Sequence, residues 1–358
     1  MTLKGGGFFA KLPTCLNRTN KFNHMKVFKS IFLTAMIAMA STLAYAQEEA
    51  DAINAYNEAL GLAQSKDFQA AIDKFTEAIS LADAVGNADI VTRSRTQIPK
   101  LYYQKAATSY NAFRSSPNVA NLDAAIAEFV VSQEKGVEFE DNDIRNRSRG
   151  ILAQLHFQKG SLLFKQEDFA GADAALNEAI TINANYAKAY YQKGLVAKNL
   201  NQGDMDGMLS WFDRAIAVGE QVNDGEVVRL ANNKAHSELL FSGATAIEQN
   251  QPSTAIELLQ NSLNYNAESA DSYYRLAEAS NKLTNYDDAI SFGTQALEYE
   301  QGGSTDKAKI YFEIGFAHQM KGNKAQACAA FANASFGSFK APSEHKMEFE
   351  LKCESTNP

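Results

Sequence analysis

The sequence predicts an all-α chain built as a solenoid of stacked helix pairs, on three observations. Phe157-Gln158-Lys159-Gly160 is followed 34 residues later by Tyr191-Gln192-Lys193-Gly194, a spacing typical of helical repeat arrays. No stretch shows the strict apolar–polar alternation of a half-buried strand. The chain has 358 residues, long for a single core, whereas repeats that each touch only their neighbours extend without that limit.

One unit runs from Ala153 to Tyr186, and Ala187 begins the next. With Ala153 as position 1, His156, Gly160 and Leu163 fall on one stripe at helical spacing, which defines a first helix. Gln166-Glu167-Asp168 makes a polar turn, and Ala172, Leu176 and Ala179 repeat the spacing on a second helix facing the first. The small residues at positions 8, 20 and 27 allow the two axes to approach to about 8–10 Å.

The frame recurs seven times. Position 8 is Ala59, Ala106, Gly160, Gly194, Gly243, Ala277 and Gly315. Positions 20, 24 and 27 are Ala71, Phe75, Ala78; Ala125, Phe129, Ser132; Ala172, Leu176, Ala179; Met208, Phe212, Ala215; Ala255, Leu259, Ser262; Ala289, Gly293, Ala296; and Ala327, Phe331, Ala334. This pattern resembles the tetratricopeptide repeat. The resemblance covers nearly everything after residue 50 and implies a right-handed α-solenoid of about seven helix–turn–helix repeats that binds other proteins. Met208 and Gly293 depart from the pattern, four of the six spacings exceed 34 residues, and no repeat has proline at position 32.

Along the chain, residues 1–46 hold six basic residues and no acidic one. From Met25, two lysines precede an apolar run from Ile31 to Ala40, and Ala44-Tyr45-Ala46 supplies a small–x–small site before Gln47. Residues 25–46 therefore read as a secretory signal peptide cleaved after Ala46, since the run is short for a membrane span of about 20 residues. Cys15 follows no apolar run and is a poor lipidation site. The exported chain then carries 28 basic residues against 42 acidic ones, a net of −14. Such a charge repels phosphate backbones and argues against nucleic acid as a partner.

Residues 47–341 form the array. Asp89-Ile90 with Arg93-Ser94-Arg95, Asp143-Ile144 with Arg147-Ser148-Arg149, and more loosely Glu226-Val227 with Arg229 each stand 17 residues before a position-8 residue. These predict first helices lengthened at their N-terminal ends, where an acid suits the helix dipole. Pro99 should kink the first of them or mark its start. The arginines read either as a solvated face with local ion pairs or as a cationic site for an acidic ligand.

The resemblance places the partner-binding residues on the inward face of the first helices. The candidates are Tyr56, Tyr103, Phe157, Tyr191, Leu195, Tyr274, Phe312 and Phe316. Aromatic rings offer contact area at low entropic cost, suited to a helix or extended peptide, and the same stripe serves equally as packing. Chaperone-binding members of the family clamp a carboxylate with lysine at position 5 and asparagine at position 9. No repeat here has either.

No chemistry-bearing constellation accompanies the frame. After the leader the histidines His156, His236, His318 and His345 are scattered, no Cys–x–x–Cys occurs, and neither a phosphate loop nor a nucleophile elbow is found. An enzyme, a metal and a cofactor are not expected. Residues 342–358 should form a capping helix and tail, following a loop from Gly337 to Ala341, with Met347 and Leu351 covering the open end. Cys328 sits at position 21, a row that holds Ile72, Ile126, Leu209, Ile256 and Ile290 in other repeats and should face the next helix along. That helix is the cap, which carries Cys353. A disulfide between them is expected in an oxidising compartment. The function expected is a periplasmic or cell-surface scaffold holding a protein or peptide in its groove. The alternatives are a structural accessory of an envelope or outer-membrane assembly and, more remotely, a small-ligand or oligosaccharide binder.

Overall fold

The computed structural model describes residues 19–201 and 203–354. It contains α1 (Thr19–Gln64), α2 (Phe68–Ala84), α3 (Ala88–Ser115), α4 (Val119–Glu138), α5 (Asn142–Lys165), α6 (Phe169–Ile182), α7 (Ala187–Leu200) and α8 (Met205–Val222). There follow α9 (Gly225–Glu248), α10 (Pro252–Leu263), α11 (Ala270–Lys282), α12 (Tyr286–Tyr299), α13 (Ser304–Met320), α14 (Lys324–Ala334) and α15 (Lys340–His345). No strand occurs among the described residues. Two compact units divide at Ile151/Leu152, so α5 contributes to both.

The turns inside the pairs explain why the helices stop where they do. Lys66, Glu167, Asn250 and Thr284 all adopt positive φ near 60°, and Gly322 has φ 77°; each is position 15 of its repeat. The left-handed residue lets the next N–H reach back five residues, as in Asp67 N–H to Leu62 O (3.0 Å), Asp168 N–H to Leu163 O (3.0 Å) and Asn285 N–H to Ser280 O (2.9 Å). That contact satisfies carbonyls a helix end leaves open. The residue after it often caps the second helix: Asp67 accepts from Ala70 N–H at 3.3 Å and Asp168 from Gly171 N–H at 2.9 Å.

In the first unit α1 packs on α2, α2 on α3 and α3 on α4, around Ala59, Ala71, Ile72, Phe75, Ile98 and Leu101. The buried stripe starts late on α1. Its first buried side chain among the described residues is Ala52, whereas Phe28, Ile31, Phe32, Leu33 and Met36 are exposed. Helix α1 continues unbroken through Ala46. Among the described residues no helix is long and apolar enough to cross a membrane. Lys4, Lys11, Arg18 and Cys15 lie outside the described residues.

In the second unit α7–α8, α9–α10, α11–α12 and α13–α14 are the pairs, and each second helix also touches the following first helix. The frame is the core. Every residue at positions 8, 20, 24 and 27 is buried in both units, and each fully buried phenylalanine or leucine contributes on the order of 1.5–3 kcal/mol. The glycines at position 8 meet the position-24 side chain: a Cβ at Gly194 would lie 2.4 Å from the Phe212 ring, and one at Gly243 2.6 Å from Leu259. The off-pattern Gly293 is filled from outside its own repeat, because Ile314 of α13 occupies the space where a Cβ would sit, at 2.5 Å.

The lengthened first helices are present: α3 has 28 residues and α5 and α9 have 24 each, against 14 in α7 and 13 in α11. Asp89, Asp143 and Glu226 lie in their first turns. Pro99 is buried inside α3 and does not start it, so the alternative that it marked the beginning is corrected. The C-terminal segment also differs from expectation. Gly337–Phe339 is a 3-10 turn, α15 already begins at Lys340, and Lys346–Leu351 continues as a π-helical turn. The Phe339 ring rests 5.3 Å from that of Phe312, which pulls the chain into helix before Pro342; the proline keeps to the first turn, where its missing N–H costs nothing.

Candidate functional site

In the second unit α7, α9, α11 and α13 each touch the next, forming one layer of first helices. Polar contacts stitch this layer at three places from position 12 of one helix to a carboxylate of the next. Lys198 donates to Glu238 at 2.6 Å, Asn281 to Glu313 at 2.8 Å, and Gln319 to Glu350 of the C-terminal segment at 2.7 Å. The last pair shows that the segment after α14 takes the place of an eighth first helix. Lys346 lies 5.7 Å over the Phe316 ring, and Cys328 and Cys353 are placed as a disulfide with Cα atoms 5.8 Å apart, within the range such a bond requires.

The three carboxylates differ in their surroundings. Burial pushes Glu238 up, but hydrogen bonds from Lys198 and Lys234 outweigh it and leave its pKa lowered. Glu313 is largely buried, and burial raises it to about 7 despite the Asn281 hydrogen bond. Glu350 is held below the usual carboxylate range by hydrogen bonds from Lys346 and Gln319.

Most of the aromatic residues expected to face a partner are half-buried, and Tyr56, Tyr103, Tyr191 and Phe312 lean on their own second helices. Tyr56 meets Phe75 edge-on at 5.4 Å, Tyr103 meets Phe129 at 5.7 Å, and Tyr191 lies 5.8 Å from Phe212. Phe312 packs on Phe331 at 5.5 Å, and Phe157 on Tyr186 at 5.1 Å. Tyr274 is only 9% exposed, and burial raises its pKa to about 12. A neighbouring first helix covers some of these rings with a cation: Arg147 over Tyr103 at 4.6 Å and Lys309 over Tyr274 at 5.0 Å. Leu195 packs partly buried beside the Phe212 cluster. Tyr191 and Leu195 thus share α7, and Tyr274, Phe312 and Phe316 share α11 and α13, while Tyr56 and Tyr103 belong to the first unit.

The arginines of the lengthened helices engage local partners. Arg93 pairs with Asp89 at 3.1 Å and Arg147 with Asp143 at 3.3 Å, both one turn apart, and Arg95 lies over Phe139 at 5.2 Å. Ion pairs of this exposed kind contribute little stability.

Several residues escaped the sequence reasoning. Lys193 is 3% exposed; it pairs with Asp173 at 2.7 Å and Asn177 at 2.5 Å on α6 and sits 4.2 Å over the Trp211 ring of α8. Phe241, at position 6 on α9, is 71% exposed. Comparing position 6 across the repeats would have found it, since the other six copies are polar. A broad cleft of about 560 Å³, lined by residues including Asp206, Asp213, Asn261 and Tyr265, lies between α8 and α10, among second helices. Among the described residues no group of three or more His, Cys, Asp or Glu could hold a metal ion.

Residues 153–186 match the family model described as tetratricopeptide repeat, the span of the unit read from the sequence. A TPR repeat-containing protein of Methanocaldococcus jannaschii is 25% identical over 169 residues, 46% of this chain and 24% of its own length; the chain thus spans about a quarter of that relative. Among solved structures, the MamA protein is 18% identical with TM-score 0.32, over 57% of this chain and 98% of that one. YrrB, described as a TPR protein with an unusual peptide-binding site, is 18% identical with TM-score 0.32, over 55% of this chain and 92% of that one. One repeat is thus matched outright as a tetratricopeptide repeat, and the remaining helix pairs carry the same buried frame.

Proposed function

We propose that this chain is an exported, non-catalytic scaffold that holds a protein or peptide partner against its layer of first helices. The observation that carries this is the contiguous layer of α7, α9, α11 and α13, fixed from behind by a buried frame and presenting half-exposed Tyr191, Leu195 and Leu240. A rigid, preorganised face costs little entropy on binding. Export is supported by the leader pattern before Gln47 and by the first buried side chain of α1 falling at Ala52, the leader touching α2's end through the Tyr45 hydroxyl on the Val85 carbonyl. The expected compartment is the periplasm or cell surface.

A benzophenone side chain placed in cells at exposed Lys188 or Ser237, on the first helices, should join the same partner polypeptide. One placed at exposed Glu257, on a second helix, should not. Capture from Glu257 alone would overturn the proposal and favour an assembly accessory that docks through its other face. N-terminal sequencing of the mature protein should begin at Gln47; a retained leader would overturn the export reading.

A further inference from the structure

The residue two before the position-8 residue is polar in six repeats: Asn57, Gln104, Gln158, Gln192, Arg275 and Glu313. In the fifth it is Phe241. At the matching place in the seventh repeat Glu313 is largely buried against Asn281, yet Phe241 is 71% exposed. The chain around Phe241 is also longer than the 34-residue frame. Gly194 and Gly243 are 49 residues apart instead of 34, with α8 extended to 18 residues and α9 to 24. The C-terminal end of α7 meets α9 through the Lys198–Glu238 pair. A notch of about 320 Å³ is left between them, lined by Lys198, Asn199, Met205, Met208, Glu238 and Phe241 among others. Its size is at the lower end for ligand pockets, room for one or two side chains and not for a large cofactor.

The chemistry of the rim defines what fits. Two methionines line the notch and an aromatic ring forms its lip, an adaptable apolar seat. Both carboxylates are already engaged. Asp204 accepts from Gly207 N–H at 2.8 Å, capping α8. Glu238 is shared by Lys198 and Lys234, each at 2.6 Å. Two ammonium groups on one carboxylate leave spare donors, and the Lys198 side chain is 47% exposed. The open capacity is for an acceptor, and a charged one makes the stronger hydrogen bond.

We infer that this notch is the anchor point of the partner-binding face, and that it takes a peptide segment presenting a large apolar side chain beside an aspartate or glutamate. The inference rests on the scaffold reading above and names the chemistry of its partner. The probe is a phage-displayed random heptapeptide library panned on the whole exported protein, with the enriched peptide then measured by fluorescence anisotropy. The expected consensus is an apolar residue next to an acid. Affinity should fall at least tenfold on Phe241→Ala, whose exposed ring is not needed for folding, and several-fold on Lys198→Ala. Enriched peptides that bind Phe241→Ala as tightly as the parent but lose affinity on Tyr191→Ala would overturn the notch and leave the layer reading standing. A library that enriches nothing would overturn both.

Discussion

The Glu313 carboxyl makes the seam between α11 and α13 sensitive to pH, and the size of the effect follows from its surroundings. Burial raises its pKa from 4.5 to about 7, with Glu278 adding to the rise and Asn281, Lys282 and Arg275 opposing it. The folded state therefore holds a proton that the unfolded state has released between about pH 4.5 and 7. By linkage, the stabilisation is full below the unfolded pKa and is lost as pH rises through the folded one. A shift of this size corresponds to about 3 kcal/mol in all, most of which falls between pH 5 and 8. Glu313→Gln removes the titration while keeping an acceptor for the Asn281 amide. The buried Oδ1 of Asn281, which has no partner, could receive the new amide N–H. Because repeat arrays can open in stages, the assay is amide hydrogen exchange along α13, comparing variant and parent at each pH so that intrinsic exchange cancels. His236 and His318, lowered by burial, give slopes of the opposite sign that are common to both proteins and cancel too. Protection of the variant relative to the parent should grow roughly 70-fold from pH 5 to 8. An unchanged ratio would refute the reasoning.

Four further outcomes follow from packing. Lys193→Ala removes a buried cation from Asp173, Asn177 and Trp211; with Asp173 partly solvated, the loss should be about 2–3 kcal/mol in a urea titration. Ser132 and Ser148 share a buried hydrogen bond of 2.9 Å, so either single change to alanine should cost about 1–3 kcal/mol while the double change is much nearer neutral, which a double-mutant cycle will read. Thr284 holds φ 62°, strained for a β-branched residue, and Thr284→Gly should raise stability by about 1 kcal/mol in thermal unfolding. Peptide mapping without reductant should recover Cys328 linked to Cys353, 25 residues apart. Reducing that link should loosen the C-terminal segment by about 3 kcal/mol, measured by its exchange protection.

The buried frame was legible in the sequence because it depends on side-chain size at fixed local spacing: Gly160 against Leu176 and Ala59 beside Phe75 are each set within one repeat. The lengthened helices were legible through the acid in their first turns. The seam was not. Glu238, Glu313 and Glu350 meet partners on the preceding first helix, 31 to 40 residues earlier, across turns of unequal length that hide the register. Position-5 rings such as Tyr274 and Phe312 looked available because the cations and rings that cover them, Lys309 and Phe339, lie on elements whose placement the spacing alone does not determine. Phe241 was missed because position 6 is not among the positions the resemblance directs inward. Pro99 misled because a proline suits a first turn, yet the helix had begun at Ala88.

The exchange between Gly293 and Ile314 binds the sixth and seventh repeats into a single unit of inheritance. A side chain that one repeat omits is supplied by the other, so neither can be cut out and grafted alone: the sixth would carry a hole into its new setting, and the seventh would drive Ile314 into whatever bulky residue stood at position 24 of its new neighbour. Shuffling repeats to alter partner choice would have to move the sixth and seventh together, along with the segment through Cys353 that Cys328 holds.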